Sequence, residues 1–183
     1  MQVLLLPDRT RTTMLRCALA LAFSAFWVAP AHAQAPASSN PAPITMTHDQ
    51  ARRIVAPFYD MLNKPATKDL DALAAANVLP QWRSYSSETV SKGREEFVAQ
   101  VAGFGKLIPD LGWEIRELFV DGNRVIVRSE ASGTPVGPFF GAPASGKSFR
   151  IMTIDIHTVQ DGKLLAAHHV EDWAGAIRTL SAK

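Results

Sequence analysis

Residues 149–173, from Phe149 to Trp173, read FRIMTIDIHTVQDGKLLAAHHVEDW. Two apolar, β-branched runs flank Asp161-Gly162, a dipeptide that accepts the positive φ angles of a two-residue hairpin turn. The stretch therefore predicts two antiparallel strands. Counted outward from the turn along an unbroken ladder, Gln160 faces Lys163, Val159 faces Leu164, His157 faces Ala166, Asp155 faces His168 and Ile151 faces Asp172. Side chains alternate between the two faces of a strand. One face then carries Asp155, His157, His168 and Asp172 among Ile151, Thr153, Val159, Leu164, Ala166 and Val170. The other carries Met152, Ile154, Ile156, Thr158, Leu165, Ala167, His169 and Glu171. A face with four ionisable groups is either a solvated outer surface or the lining of a pocket. Alternation alone favours the solvated reading, because the isoleucine side looks more like a core.

The chain has 183 residues, enough for one domain with a substantial core. Its start belongs to something else. Arg16, the apolar run Cys17 to Val28 and the small-x-small site Ala31-His32-Ala33 predict a signal peptide over residues 1–33. Export to the periplasm or medium follows, with cleavage near Ala33. The apolar run is too short for a transmembrane helix. Cleavage removes three arginines and one aspartate, leaving sixteen basic and sixteen acidic residues. The mature chain has no basic excess to attract nucleic acid or anionic lipid, so neither is expected as a partner. The single cysteine, Cys17, lies in the leader, so the mature protein relies on its core and not on disulfides.

Residues 34–46, rich in Pro, Ala and Ser, predict a disordered linker, and the domain proper spans 47–183. Thr47 with Gln50 forms a capping-box signature, and Ile54, Val55, Phe58, Tyr59 and Leu62 carry a helix to about Asn63. Thr67 caps a second, short helix ending near Asn77. Leu79 to Ser87 is extended, and a third helix runs from about Gly93 to Leu107. The period then changes to two. Trp113–Val120 and Arg124–Ala131 form a hairpin around Asp121-Gly122-Asn123, a Gly/Pro-rich loop spans Gly133–Lys147, and Ala174–Leu180 closes the chain as a helical turn or irregular tail. Helices first and antiparallel strands afterwards predict an α+β domain with the helices packed on one face of a curved sheet.

Some local signals carry less than they suggest. Gly141 to Ser148 matches the phosphate-loop pattern G-x-x-x-x-G-K-S, but a strand follows it where that chemistry needs a helix N-terminus, and Pro143 removes a loop amide. Neighbouring strand residues point to opposite faces, so His168 and His169 cannot share an ion, and no metal spacing is recognisable. No metal is expected. Neither a mature cysteine nor a Gly-x-Ser-x-Gly elbow offers a nucleophile. Trp82, Trp113 and Phe119 could stack on an aromatic ligand, although ordinary packing explains each one singly. Arg128, mid-strand, reads as a surface partner for Glu117 or Glu130.

Four pieces in order, FYDMLNKPATKDLDAL (58–73), SKGREEFVAQVAGFGKLIPDLGWEIRELFVDGNRVIVR (91–128), GTPVGPFFGAPASGK (133–147) and IDIHTVQDGKLLAAHHVEDWAGAIRTL (154–180), resemble the SnoaL-like polyketide cyclases, or ester cyclases, of the nuclear transport factor 2-like superfold. The resemblance implies a cone-shaped barrel in which a strongly curved antiparallel sheet wraps a central pocket closed by helices. It implies a small-molecule substrate or ligand, no cofactor and a convex side that can be buried in a homodimer. Family members of known activity close a ring by aldol chemistry on a polyketide ester, with an aspartate as acid/base in a tryptophan-x-x-x-aspartate context. Asp172 matches the aspartate, and His168 stands at the tryptophan position. Tyr85 and Gly133-Thr134-Pro135 also depart from the family pattern, where histidine and Gly-Thr-His are common.

With this resemblance the acidic and imidazole face becomes a pocket lining. Asp172 then serves as acid/base, assisted by His168 held by Asp155, while His157, Tyr59, Trp82, Tyr85 and Trp113 contact substrate. The expected function is an exported, cofactor-independent cyclase, isomerase or lyase acting on a small carbonyl compound. The alternative is a non-catalytic small-molecule-binding protein of the same fold.

Overall fold

The computed structural model describes residues 46–182. The leader expected over 1–33 and nearly all of the linker expected over 34–46 lie outside the described residues.

Helix α1 (His48–Leu62) begins at Thr47, whose side chain accepts from Gln50 N while the Gln50 side chain accepts from Thr47 N. That reciprocal pair satisfies two of the amide groups a helix start leaves open. Ala51, Val55, Phe58, Tyr59 and Leu62 recur at helical spacing and are buried. A short 3-10 turn (Pro65–Thr67) leads to α2 (Leu70–Asn77), whose cap is Asp69 and not Thr67, because the turn consumes Thr67. Strand β1 (Val78–Tyr85), a three-residue strand β2 (Ser91–Gly93) and helix α3 (Arg94–Leu107) follow. Gly105 lets α3 close on the 3-10 turn: a Cβ there would stand 2.7 Å from the Ala66 amide nitrogen.

Strands β3 (Gly112–Asp121) and β4 (Arg124–Gly133) form one hairpin, and β5 (Phe149–Gln160) and β6 (Lys163–Glu171) form the other. Asp161 and Gly162 take φ of 52° and 74°, as the tight turn requires. The tail is a full helix, α4 (Trp173–Ser181). The six strands form one sheet in the order β2-β1-β6-β5-β4-β3. Two features differ from the sequence reading. The β1–β6 pair is parallel, so the sheet is mixed, and its edges β2 and β3 do not meet, so no barrel closes. The architecture is α+β, with the core between the helices and one sheet face.

The inner face is Val125, Val127, Ser129 and Ala131 from β4, and Phe149, Ile151, Thr153, Asp155, His157 and Val159 from β5, all buried. Met152 and Ile156, on the other side of β5, are exposed. On β5 the isoleucine side is thus the outer one, as the resemblance implied and alternation alone did not.

Candidate active site

The hairpin ladder is not unbroken. Val159 pairs with Leu164, but Thr158 pairs with Ala166, so Leu165 is an extra residue in β6. Such a bulge exchanges the faces of every residue beyond it. Asp155 therefore opposes His169, and His168 opposes Ile156 on the outer face. Ala167, His169 and Glu171 turn inward, while His168 and Val170 are exposed. The expected Asp155–His168 pair does not form. His168 instead stacks on Tyr85 with centroids 4.6 Å apart and planes 7° from parallel, and both line an outer cleft. The strand ends at Glu171. Asp172, expected in the pocket, caps α4, its carboxylate accepting from Gly175 N at 2.8 Å, and its side chain is half exposed. Glycine at 175 leaves room for that carboxylate, since a Cβ would lie 2.2 Å from Asp172 Oδ2.

Inside the sheet lies a cavity of about 40 Å³. Its helical wall is apolar: Phe58 and Leu62 from α1, and Phe97, Val101 and Phe104 from α3 beside Gln100. Its sheet wall carries Asp155, His169, Glu171 and Ser84, with Trp113 at one end. By volume it holds a few water molecules. Phe97 and Phe104 in its wall are both partly exposed.

Asp155 is buried, and its Oδ2 accepts a 2.8 Å hydrogen bond from the Tyr59 hydroxyl. Desolvation lifts its carboxyl to about 7 against the Tyr59 hydrogen bond, with the Glu171 charge also raising it and His169 lowering it. His169 Nδ1 lies 2.7 Å from Glu171 Oε1. Burial pulls the His169 imidazole down. The Glu171 hydrogen bond and the charges of Glu171 and Asp155 outweigh that, against Lys92, and leave it above the ordinary histidine value. The sheet wall thus sets a carboxyl that titrates near neutrality opposite an imidazole whose protonated form is favoured by its carboxylate neighbours.

Tyr59 and His157 sit behind Asp155. The Tyr59 oxygen is also 2.9 Å from His157 Nε2, and neither residue lines the cavity. Burial, then the charge of Asp155 and the hydrogen bond to it, keep the Tyr59 hydroxyl neutral by raising it well above the usual tyrosine range. Burial, helped by the His169 charge, pushes His157 down to about 3, so it is uncharged. Asn63 ties this corner together: its amide donates to the Tyr59 and Trp113 carbonyls, and its oxygen accepts from Trp113 N at 2.6 Å. The Trp113 indole donates to Ser129 Oγ at 2.9 Å and Thr153 Oγ1 at 3.2 Å. Trp82 is buried against Phe58 and Phe97 and does not line the cavity.

Of the residues expected in the pocket, Asp155 and Trp113 line it, Tyr59, His157 and Trp82 stand behind it, and His168, Tyr85 and Asp172 lie outside it. His169, Glu171 and the phenylalanine wall were not anticipated. The one hint was the run Leu164-Leu165-Ala166-Ala167, where alternation lapses and nothing in the sequence holds the register.

A profile of the SnoaL-like polyketide cyclases matches residues 52–180. The chain belongs to that family. TsrD from Streptomyces laurentii is 26% identical and superposes with a TM-score of 0.64 over 75% of this chain and 98% of its own. A protein of Jannaschia sp. CCS1 described as a SnoaL-like polyketide cyclase is 23% identical, with a TM-score of 0.65 over 77% and 96%. IdmH of Streptomyces antibioticus, described as a polyketide cyclase, is 20% identical, with a TM-score of 0.64 over 73% and 99%. These last two share the fold. No curated relative matches the chain. Membership points to a cofactor-independent role of cyclase or isomerase type on a small-molecule substrate.

Proposed function

We propose that this SnoaL-like protein is an acid/base enzyme that enolises a small carbonyl compound with an apolar body, for ring closure or isomerisation. Asp155 takes the proton from carbon next to the carbonyl. His169 donates from Nε2 to the oxygen that gains charge, and Glu171, bound at Nδ1, holds the ring and its proton. In isomerisation the proton then returns to carbon. In ring closure the enol carbon attacks a second carbonyl in the same molecule, the enol oxygen gives its proton back to His169 as its carbonyl reforms, and Asp155 delivers its proton to the new alkoxide. The observation that carries the proposal is Asp155, a buried carboxyl lining an apolar cavity directly across the ladder from His169.

The composition of residues 1–33 supports export. The outer sheet face supports a homodimer, because Phe119, Ile126 and Ile156 are successive ladder partners flanked by the paired charges Arg128–Glu117 and Arg116–Glu130.

The test is a panel of aromatic and aliphatic keto-esters and enolisable ketones with product analysis. With a substrate found, turnover should rise with pH through about 7 as Asp155 ionises and fall when His169 deprotonates. Asp155→Asn should lower kcat at least about 100-fold. Compounds bound with good affinity and returned unaltered would instead favour a carrier.

A further inference from the structure

The cluster behind Asp155 adds to this reading and rests on it. We infer that Tyr59 and His157 are positioning residues that hold Asp155 from behind through a directed chain, in which His157 Nε2–H donates to the Tyr59 oxygen and the Tyr59 hydroxyl donates to Asp155 Oδ2.

The direction follows from counting protons. The Tyr59 hydroxyl has one hydrogen and two neighbours, Asp155 Oδ2 at 2.8 Å and His157 Nε2 at 2.9 Å. An ionised carboxylate can only accept, so the hydroxyl hydrogen goes to Asp155. The second short contact is attractive only if Nε2 carries a proton. His157 is neutral, so its Nδ1 is then a bare lone pair. That atom is fully buried and has no hydrogen-bond partner among the described residues, and the ring meets Phe58 edge-on with centroids 5.2 Å apart. Burying an unpaired acceptor there is the cost of presenting the donor to Tyr59.

The consequence lies at the other oxygen. With Oδ2 fixed from behind, Oδ1 is the carboxylate atom left for the cavity, and no side-chain bond to it occurs among the described residues. Protonation of Oδ1 by substrate leaves the whole chain intact, so one proton moves between carbon and Asp155 with no rearrangement behind it. The donated hydrogen bond also restrains how far burial lifts the carboxyl. Tyr59 and His157 therefore tune the base without touching substrate, a different role from the direct contact the sequence suggested.

The test is nuclear magnetic resonance of the protein without substrate. Side-chain carbon shifts follow Asp155, and ring nitrogen shifts follow His157. In the wild type, His157 should show the Nε2–H tautomer above the Asp155 midpoint and remain neutral from pH 5 to pH 9 (roughly the working range of such groups). In Tyr59→Phe, which removes one oxygen and keeps the ring, the Asp155 midpoint should move up by about one pH unit. A merely structural role predicts an unmoved midpoint, and that result overturns the inference. So does the Nδ1–H tautomer in the wild type, a measurement that needs no variant to fold. Neither readout depends on turnover. An active Asp155→Asn variant would refute the proposed function and leave the chain standing.

Discussion

Asp155 and His157 share one strand face two residues apart, yet their burial acts on stability in opposite directions. The Asp155 carboxyl moves from an ordinary 3.8 to about 7, so between those values the folded protein holds a proton that the unfolded chain has released. Its contribution is greatest below pH 4 and is lost as pH rises through 7. His157 falls from 6.5 to about 3, so there the unfolded chain binds the extra proton. Its contribution is full above pH 6.5 and is lost as pH falls toward 3. The slopes oppose each other between about pH 4 and pH 6.5, and the wild type should be nearly flat there. Asp155→Asn keeps an acceptor for Tyr59 and abolishes the ionisation. We expect it to be more stable than wild type at pH 8 by about 2 kcal/mol, part of the roughly 4 kcal/mol that a displacement of this size represents. On acidification below pH 6.5 it should lose stability more steeply, because the His157 slope is no longer offset. Urea midpoints across pH 4–8 check both, and a variant that parallels wild type at every pH contradicts them.

At the scale of elements, one extra residue in β6 selects the site. The bulge at Leu165 makes Ile154 and Val170 partners on the outer face, whereas an unbroken hairpin would pair Ile154 with His169. Cysteines report the difference, since a disulfide forms only where Cβ atoms face each other within reach. Ile154→Cys with Val170→Cys should oxidise readily, and Ile154→Cys with His169→Cys should stay reduced, as read by thiol titration. The reverse outcome would return His168 to the cavity. The junction of β6 and α4 carries a second consequence. Asp172 accepts from Gly175 N, so Asp172→Ala should cost about 1 kcal/mol, whereas Asp172→Asn and Asp172→Ser retain a cap and most of the stability. Equal losses in all three would mean the cap contributes nothing.

At the scale of the molecule, the sheet has one covered face and one bare one. Phe119, Met152, Ile156 and Val170 are exposed on the bare side, more apolar surface than a sheet facing water usually shows. The dimer proposed through this face makes a direct prediction. The protein should sediment as a dimer at micromolar concentration, and Ile156→Glu should sediment as a folded monomer with an unchanged circular dichroism spectrum. A wild type that stays monomeric at about 100 μM, where a weak specific dimer would already assemble, would refute it. Ion pairs at the rim, such as Arg128–Glu117 at 2.9 Å, are exposed and should set orientation more than affinity.

The sequence by itself determined what depends on neighbours along the chain. The capping box of α1, the Asp161-Gly162 turn, the order of helices and strands, and the placing of Asp155 and His157 on one face all rest on local rules of backbone geometry. Arg128 was legible as a surface partner of Glu117 or Glu130, and the structure pairs it with Glu117. The tertiary structure decided which face was inside, which residues of β6 joined it, and where the sheet stopped. Leu164 to Ala167 offered no alternation to fix a register, and the bulge falls where β6 pairs with β5 on one side and with a parallel, equally irregular β1 on the other. That fit sent His169 and Glu171 inward and His168 outward. The start of α4 took Asp172 for its cap. The register of β6 and the enclosure of the site involve β1 and the helices as well as β5, and no local window of sequence contains both sides of those contacts.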